Sequence, residues 1–242
     1  MALVSLLVTA ITAGCEVDAR VGVDVADDGS GRVEVAVTLD PDAAGRVSDL
    51  SGQLRVADLT AAGWAVAGPN TRADGSVVVT ATKPFADVGD VSGVLDEISG
   101  TQGPFGGLEV RREASFFATT YHLSGVVDLT DGIDGFSDDG LRRRLEGSGF
   151  GLATPEVERL TGVPLGESFH VDVRTHLPGR LVEGPRAPGD GETAVWSPEV
   201  GGTTVVEARS RRLHVARLAW LAGAVVAATA LAAVLGARRW RR

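Results

Sequence analysis

The sequence is short of the residues that cross-link a fold or carry out common catalysis. Cysteine occurs once in 242 residues, at Cys15, so no disulfide bond can form within the chain. The sequence contains no Gly-x-Ser-x-Gly elbow, no His-Glu-x-x-His zinc motif and no phosphate-binding glycine loop. These absences argue against an enzyme, although an enzyme of an unrecognised type stays an alternative.

Metal-ligand patterns are also lacking. Of the four histidines, His170 and His176 share one face of a predicted strand, but six residues separate them by about 20 Å, too far for a common metal. The acidic, glycine-rich segment 128–140 could be a cation site, but its spacing fits no known ligand pattern and favours a solvated loop. We therefore expect neither a metal nor a cofactor.

Positive charge is scarce outside the C-terminal end. Eight of the 23 basic residues lie from Arg209 onward with no acidic residue among them. The preceding 208 residues therefore hold 15 basic and 32 acidic residues, a net charge of −17. Nucleic-acid binding selects basic surfaces, so this balance excludes a nucleic acid as the partner.

A long apolar run is present near the C-terminus. Residues 218–237 are twenty residues without a charge, which as a helix measure about 30 Å, the thickness of a bilayer's hydrocarbon core. Trp220 stands at one end, and Trp240 follows the other among four arginines, Arg238, Arg239, Arg241 and Arg242. Arginine clusters stay on the cytoplasmic side and tryptophan prefers the interface, so a membrane span with a cytoplasmic C-terminus is predicted. A buried, alanine-rich core helix is the alternative.

The N-terminus carries a second membrane signal. The run from Ala2 to Ile11 is too short to span a bilayer and fits the core of a signal peptide. Thr12, Ala13 and Gly14 precede Cys15, and small residues before a lone cysteine resemble a bacterial lipobox, although Thr12 stands where leucine is usual. The resemblance implies cleavage before Cys15 and a diacylglyceryl group on its thiol. An ordinary secretory signal with an incidental cysteine is the alternative.

These signals divide the chain into five segments. We predict a signal peptide over residues 1–14, an extracytoplasmic domain over 15–208 and a linker over 209–217. The span over 218–237 and a cytoplasmic tail over 238–242 complete the chain. The protein is thus expected at the cell membrane as a single-pass protein with its main domain outside.

The outer domain opens with a clear β-hairpin pattern. Valines alternate with polar residues over 17–25 and again over 33–39, around the glycine-rich turn 27–31. Asp40-Pro41 and Asp87 are expected to begin two helices, and Val91, Val94, Leu95 and Ile98 have helical spacing. Short strands are predicted near 64–66, 77–81 and 169–175, one or two long strands over 108–129, and a final hairpin from 194–196 and 204–207.

The order of these elements resembles that of LppM-type lipoproteins of actinobacterial envelopes. Three short motifs add to the resemblance: His176-Leu177-Pro178-Gly179, Thr193-Ala194-Val195-Trp196 and Gly202-Thr203-Thr204. The resemblance extends over nearly the whole chain. It implies an α+β domain, a curved antiparallel sheet packed with two or more helices, with one C-terminal transmembrane helix. It also implies binding of envelope lipids or glycolipids and no catalysis.

A helix laid on a curved sheet can leave an apolar gap for a lipid chain. We hypothesise a ligand cleft with a mouth at the flexible loop around Phe105. Its walls would be Val91, Val94, Leu95, Ile98, Phe105 and Phe116. The alternatives are that these side chains only fill a core, and that the protein is a structural or interaction protein recruiting another membrane protein.

Overall fold

A computed structural model describes residues 16–46, 56–99, 103–132 and 168–240. Several predicted features therefore lie outside the described residues. They are the signal peptide, Cys15, the acidic positions Asp134, Asp138 and Asp139, and the final arginines Arg241 and Arg242. The apolar face predicted for the helix after Asp40-Pro41, which consists of Val47, Leu50 and Leu54, also lies outside them.

The described chain alternates short strands with few helices. The strands are β1 (Val17–Val25), β2 (Gly31–Leu39), β3 (Ala65–Thr71), β4 (Val77–Phe85), β5 (Glu109–Ala114), β6 (Ala118–Asp128), β7 (Phe169–His176), β8 (Arg180–Glu183), β9 (Thr193–Trp196) and β10 (Thr203–Leu213). The helices are α1 (Pro41–Arg46), α2 (Val56–Ala61), α3 (Val91–Ser99) and α4 (Val215–Trp240). The predicted α+β class with a C-terminal apolar helix is confirmed.

The strands form two sheets where one curved sheet was expected. Sheet A has six strands in the order β3-β4-β2-β1-β7-β9, and sheet B has four in the order β5-β6-β10-β8. All pairs are antiparallel except β1 and β7, which run parallel with Val17 opposite Phe169. Alternation along a strand shows which side chains are buried but does not reveal the partner strand, and this is why the sequence could not show that the strands divide into two sheets.

The opening hairpin forms as predicted. Val21 pairs with Val35 and Val23 with Val33, so the valines of both strands share one face. In the turn, the Asp28 carboxylate accepts hydrogen bonds from the backbone N–H and the hydroxyl of Ser30. These hydrogen bonds lower the pKa of Asp28 below its ordinary value and fix the turn with no need for a cation.

Both predicted helix caps are present. Asp40 Oδ1 accepts from the backbone N–H of Ala43 at 2.6 Å. Asp87 begins a 3₁₀ turn (Val88–Asp90), where its side chain accepts from Gly89 N–H while the Asp90 carboxylate accepts from Asp87 N–H. This reciprocal capping satisfies N–H groups that would lack a partner at the start of a helix, and α3 follows directly.

Three boundaries differ from the prediction. The segments expected to form the last hairpin separate, since β9 pairs with β7 in sheet A while β10 pairs with β6 and β8 in sheet B. Strand β4 continues through Pro84, which is tolerated because β3 pairs with β4 only as far as Thr82. Strand β10 runs to Leu213, so only His214 separates it from α4 and the linker expected over 209–217 is strand and helix.

One core serves both sheets and α3. Val21, Val23 and Val33 of sheet A join Tyr121, Leu123 and Val206 of sheet B in a single cluster of buried side chains. Trp64, directly before β3, is also buried there with 1% of its surface exposed. The two sheets therefore belong to one packed domain.

Candidate functional site

The predicted cleft residues divide between two places. Val91, Val94 and Leu95 of α3 are buried in the core together with Phe105, and Ile98 packs against the same cluster half-buried. Phe105 is only 2% exposed, so its ring belongs to the core and does not form the mouth we expected. The structure thus brings five of the six residues together in a packed core, and a lipid cleft between them stays a prediction.

Phe116 lies elsewhere, and its place in the cleft is corrected. It sits on the turn between β5 and β6, with 54% of its surface exposed, beside Phe117 at 48%. Both residues fall within the segment 108–129, for which one or two long strands are predicted, because aromatic residues favour β-structure. Two adjacent residues in a strand point to opposite faces, so a half-buried strand would expose one of the two rings, whereas the turn leaves both about half exposed.

A polar pocket of about 490 Å³ has Arg212, three residues before the start of α4, in its lining. We call it the headgroup pocket. It is lined by Asp24, Val25, Ala26, Asp27, His176, Pro178, Gly179, Glu192 and Arg212. These residues come from the end of β1 and the turn after it, the end of β7 and the turn after it, the loop before β9 and the end of β10. The sequence marked the motif His176-Leu177-Pro178-Gly179 but could not show that these segments meet.

Two contacts fix the wall formed by the β1–β2 turn. Arg212 Nη2 lies 2.7 Å from Asp27 Oδ2, and the Tyr121 hydroxyl donates to the backbone carbonyl of Asp27 at 2.9 Å. Tyr121 is fully buried, so its hydrogen bond joins sheet B to the hairpin of sheet A. The position of Arg212 is therefore determined by the domain core as well as by the ion pair.

The opposite wall is the tight turn His176-Leu177-Pro178-Gly179. The buried Ser210 hydroxyl donates to the Pro178 carbonyl at 2.9 Å. Gly179 has φ +87° and lies so close to β10 that a Cβ there would be 2.7 Å from the Arg211 carbonyl oxygen. The turn thus requires glycine, and it holds His176 at the rim, where Nε2 is 3.8 Å from Glu192 Oε2.

The charge of the headgroup pocket is predominantly negative. Of its three carboxylates, Asp27 is paired with Arg212, and Asp24 is paired with Arg32 at 2.8 Å. Glu192, 3.8 Å from His176, has no arginine partner among these contacts and leaves the balance negative. Near the rim, hydrogen bonds from Thr193 Oγ1 and the Glu192 backbone lower the pKa of Asp190, with a smaller contribution from His176. Carboxylates accept hydrogen bonds and arginine and histidine donate them, so the arrangement suits a neutral ligand rich in hydroxyl groups.

A second, smaller pocket of about 220 Å³ lies across the outer face of sheet B. Its lining is Arg111, Glu113, Thr120, His122, Glu183, Glu207 and Arg209. His122 Nε2 and Glu207 Oε1 are 3.2 Å apart within it. Neither this pocket nor the headgroup pocket is lined by any of the six residues predicted for the cleft.

An acidic and histidine trio occurs at the start of β1. His170 lies opposite Asp18 in the parallel register, with its Nδ1 3.5 Å from Glu16 Oε1 and 3.9 Å from Asp18 Oδ1. One ligand atom from each residue falls within 4.8 Å of the others. The sequence could not reveal this grouping because it depends on the β1–β7 pairing. All three residues are exposed, and such groups are common on protein surfaces without a metal.

The helix α4 is long and apolar enough to cross a membrane. Its window Val215–Ala233 has a mean hydropathy of 1.8, and none of that window is buried against the rest of the protein. At 1.5 Å per residue the 26 residues of α4 measure about 39 Å, enough for a hydrocarbon core. The predicted span 218–237 lies within this helix, and its lack of burial distinguishes it from a core helix.

The comparisons with known proteins yield one structural neighbour. No family model matches the sequence, and no curated protein matches it. The fold is similar to the NMR structure of the folded domain of the LppM protein of Mycobacterium tuberculosis, with 13% identity and a TM-score of 0.42. The match covers 83% of this chain and 92% of that domain. Similarity of this degree establishes neither a shared family nor a shared function.

Proposed function

We propose that the chain is a bacterial envelope lipoprotein that binds the headgroup of an envelope lipid or glycolipid and does not act as an enzyme. The domain would be held outside the cell by α4, with its C-terminus in the cytoplasm, and by a diacylglyceryl group on Cys15. The single observation that carries the binding function is the position of the headgroup pocket beside the start of α4.

The distance from the pocket to the membrane fits a headgroup. Arg212 lines the pocket and is three residues from Val215, where α4 begins. Three residues of extended chain span about 10 Å. The polar zone on each side of a bilayer is about 5–8 Å thick, so the pocket lies just beyond it. A lipid whose headgroup carries a sugar that projects past this zone can therefore reach the pocket while its chains remain in the bilayer.

The lining favours sugar over phosphate. Arg212 is paired with Asp27 and Arg32 with Asp24, so the lining offers no arginine without a carboxylate partner, and Glu192 adds a negative charge. An anionic phosphate would meet repulsion, whereas sugar hydroxyls can donate to carboxylates and accept from His176 or Arg212. The part of the ligand that is recognised is thus the headgroup and not the acyl chain expected from the sequence. This agrees with the burial of the α3 side chains in the core.

Lipid capture by the full-length protein tests the proposal. Delipidated protein in detergent is incubated with an envelope lipid extract and repurified, and the bound lipids are identified by mass spectrometry. The variants are Glu192→Gln at the headgroup pocket and Glu183→Gln, the same change at the sheet B pocket. We expect Glu192→Gln to lower the bound glycolipid several-fold and Glu183→Gln to retain it.

The other outcomes are decisive as well. Equal capture by Glu192→Gln and the unaltered protein would place the binding elsewhere and reject the headgroup pocket. If neither the unaltered protein nor any variant retained lipid, the binding function itself would be refuted and the alternative, an interaction protein of the envelope, would be favoured.

A further inference from the structure

The turn between β5 and β6 presents two exposed phenylalanine rings next to the point where α4 leaves the domain. Phe116 and Phe117 pack edge-to-face, with ring centroids 5.2 Å apart and an interplanar angle of 82°. About half of each side chain is exposed, although the domain has a core that could bury them. We refer to these two residues as the aromatic turn.

The aromatic turn is fastened to the start of α4. His214 donates its backbone N–H to the Phe117 carbonyl at 2.8 Å. The His214 ring lies between the Phe116 carbonyl, 3.2 Å from Nδ1, and Thr119 Oγ1, 3.0 Å from Nε2. A carbonyl oxygen can only accept, so Nδ1 carries a proton, and in the neutral ring the Thr119 hydroxyl donates to Nε2. The rings therefore lie at the level of the first turn of α4.

The exposed apolar surface continues from the aromatic turn into the helix. Leu213 is 51% exposed and Val215 is 71% exposed, on either side of His214. Arg217, in the first turn of α4, places its guanidinium 5.6 Å from the centroid of the Phe116 ring. Arginine at the end of a membrane helix extends its charge to the headgroups while its stem stays among apolar groups.

The backbone of the aromatic turn also suits a low-polarity environment. A segment entering a bilayer has to satisfy its carbonyl groups from within the protein. The Phe116 and Phe117 carbonyls both accept from His214, and the Ala118 carbonyl accepts from the backbone and hydroxyl of Ser115 at 2.8 Å. A protein partner could itself donate hydrogen bonds to these carbonyls, whereas lipid chains cannot.

From these features we infer that the aromatic turn is a membrane contact: Phe116 and Phe117 insert into the outer interface of the bilayer that α4 crosses. The occupant of this apolar surface is lipid, because the surface is continuous with a helix whose only matching solvent is a bilayer. The contact rests on the proposed membrane tether. It would hold the domain at a fixed height, with the headgroup pocket at the level of the headgroups.

Spin-label accessibility in lipid nanodiscs tests the contact on the full-length chain. A nitroxide is attached through Phe117→Cys in a Cys15→Ser chain in phosphatidylethanolamine–phosphatidylglycerol nanodiscs. The Cys15→Ser change removes the proposed acyl anchor, so one position carries the label and α4 alone tethers the domain. Collision rates are measured with oxygen, which concentrates in the bilayer, and with a water-soluble nickel chelate. Val205→Cys is the control in the domain, since Val205 is 72% exposed and lies eight residues before Leu213 on β10. Leu221→Cys is the control within α4.

The label at 117 is expected to collide with the nickel chelate several-fold less often than the label at 205, and to resemble the label at 221 in its preference for oxygen. Equal chelate collisions at 117 and 205, with a protected label at 221, would overturn the contact while leaving the tether intact. A label at 221 that is open to the chelate would overturn the tether and the contact together.

A second measurement addresses the phenylalanine side chains directly. A label at Leu213→Cys is compared with and without Phe116→Ser and Phe117→Ser. The serine pair should raise the chelate collision rate of that label toward the rate at 205, because the domain loses its hold on the interface. An unchanged rate would show that the rings do not position the domain.

Discussion

Helices α3 and α4 differ in where their apolar side chains lie: those on one face of α3 are buried in the domain, and those of α4 over Val215–Ala233 are exposed. The nine-residue α3 buries Val91, Val94 and Leu95 on one face and turns Glu97 to a polar contact. The 26-residue α4 has no polar face over its first nineteen residues beyond Arg217 and Thr229, and none of that window is buried. An amphipathic helix buries its apolar face against the core of the protein, whereas an apolar helix that does not pack on the core needs a surrounding apolar medium such as a bilayer. The same residue change should therefore have different consequences in the two helices.

The largest effect is expected from truncating the buried face of α3. Leu95 is fully buried, so Leu95→Ala should lower the free energy of unfolding of the domain by about 2–5 kcal/mol. The control is Leu221→Ala in α4, which should leave the unfolding of the domain unchanged. Denaturant titration of the detergent-solubilised protein measures both. An equal decrease in the free energy of unfolding for both substitutions would mean that α4 packs on the domain as α3 does.

The next effect is expected from placing a charge in α4. Val225→Lys lies within the apolar window, where a lysine at the centre of a span costs about 2.5–3.5 kcal/mol of insertion. In a Cys15→Ser chain, which lacks the proposed acyl anchor, the fraction of protein that resists alkaline carbonate extraction from membranes should fall. Val205→Lys, the same change at an exposed position of β10, should not alter that fraction. Full retention of Val225→Lys would argue that α4 does not cross the bilayer.

A smaller effect is expected on the polar side of α3. Glu97 Oε2 accepts from Trp64 Nε1 at 3.0 Å, and Lys83 Nζ lies 2.6 Å from both carboxylate oxygens. Glu97→Gln should lower the free energy of unfolding by about 1–2 kcal/mol, since the charge that strengthens both hydrogen bonds is lost and the side chain is partly exposed. Glu109→Gln, at a more exposed ion pair with Arg111, should change it less.

The Glu97 effect should depend on pH in one direction. The hydrogen bond from Lys83, helped by that from Trp64, lowers the pKa of Glu97 below its ordinary value of 4.5. A carboxylate with a lowered folded pKa stabilises the fold above its unfolded pKa and loses that stabilisation as pH falls through the folded value. The advantage of Glu97 over Gln should thus be complete at pH 7 and shrink below about pH 4.5. An advantage that grew on acidification would contradict the assignment.

The sequence predicted what depends on neighbours along the chain. Valine alternation located β1 and β2, and the aspartates at 40 and 87 located the starts of two helices because a cap acts within three residues. The apolar run located α4, because the length and composition of a possible span are read from consecutive residues. Each of these features is decided by local spacing and chemistry.

The features that the sequence did not predict depend on distant parts of the chain. The β1–β7 pair joins residues about 150 positions apart, and β9 and β10 separate into different sheets although they are neighbours in the sequence. The headgroup pocket needs four segments to meet, so no single motif marks it. Phe105 and Phe116, both placed in one cleft from their apolar character, differ because one faces the core and the other occupies a turn.

The length of strand β1 sets the distance between the two proposed membrane anchors, Cys15 and α4. Its C-terminal end leads into the turn where Asp27 contacts Arg212, close to the start of α4. Its N-terminal end begins at Val17, two residues after Cys15, and nine residues at about 3.3 Å each place that end some 26 Å away. If the acyl group and α4 enter the same bilayer, β1 cannot stand upright on it. The strand has to lie along the surface, and the protein then covers an elongated footprint whose length is set by the number of residues in one strand.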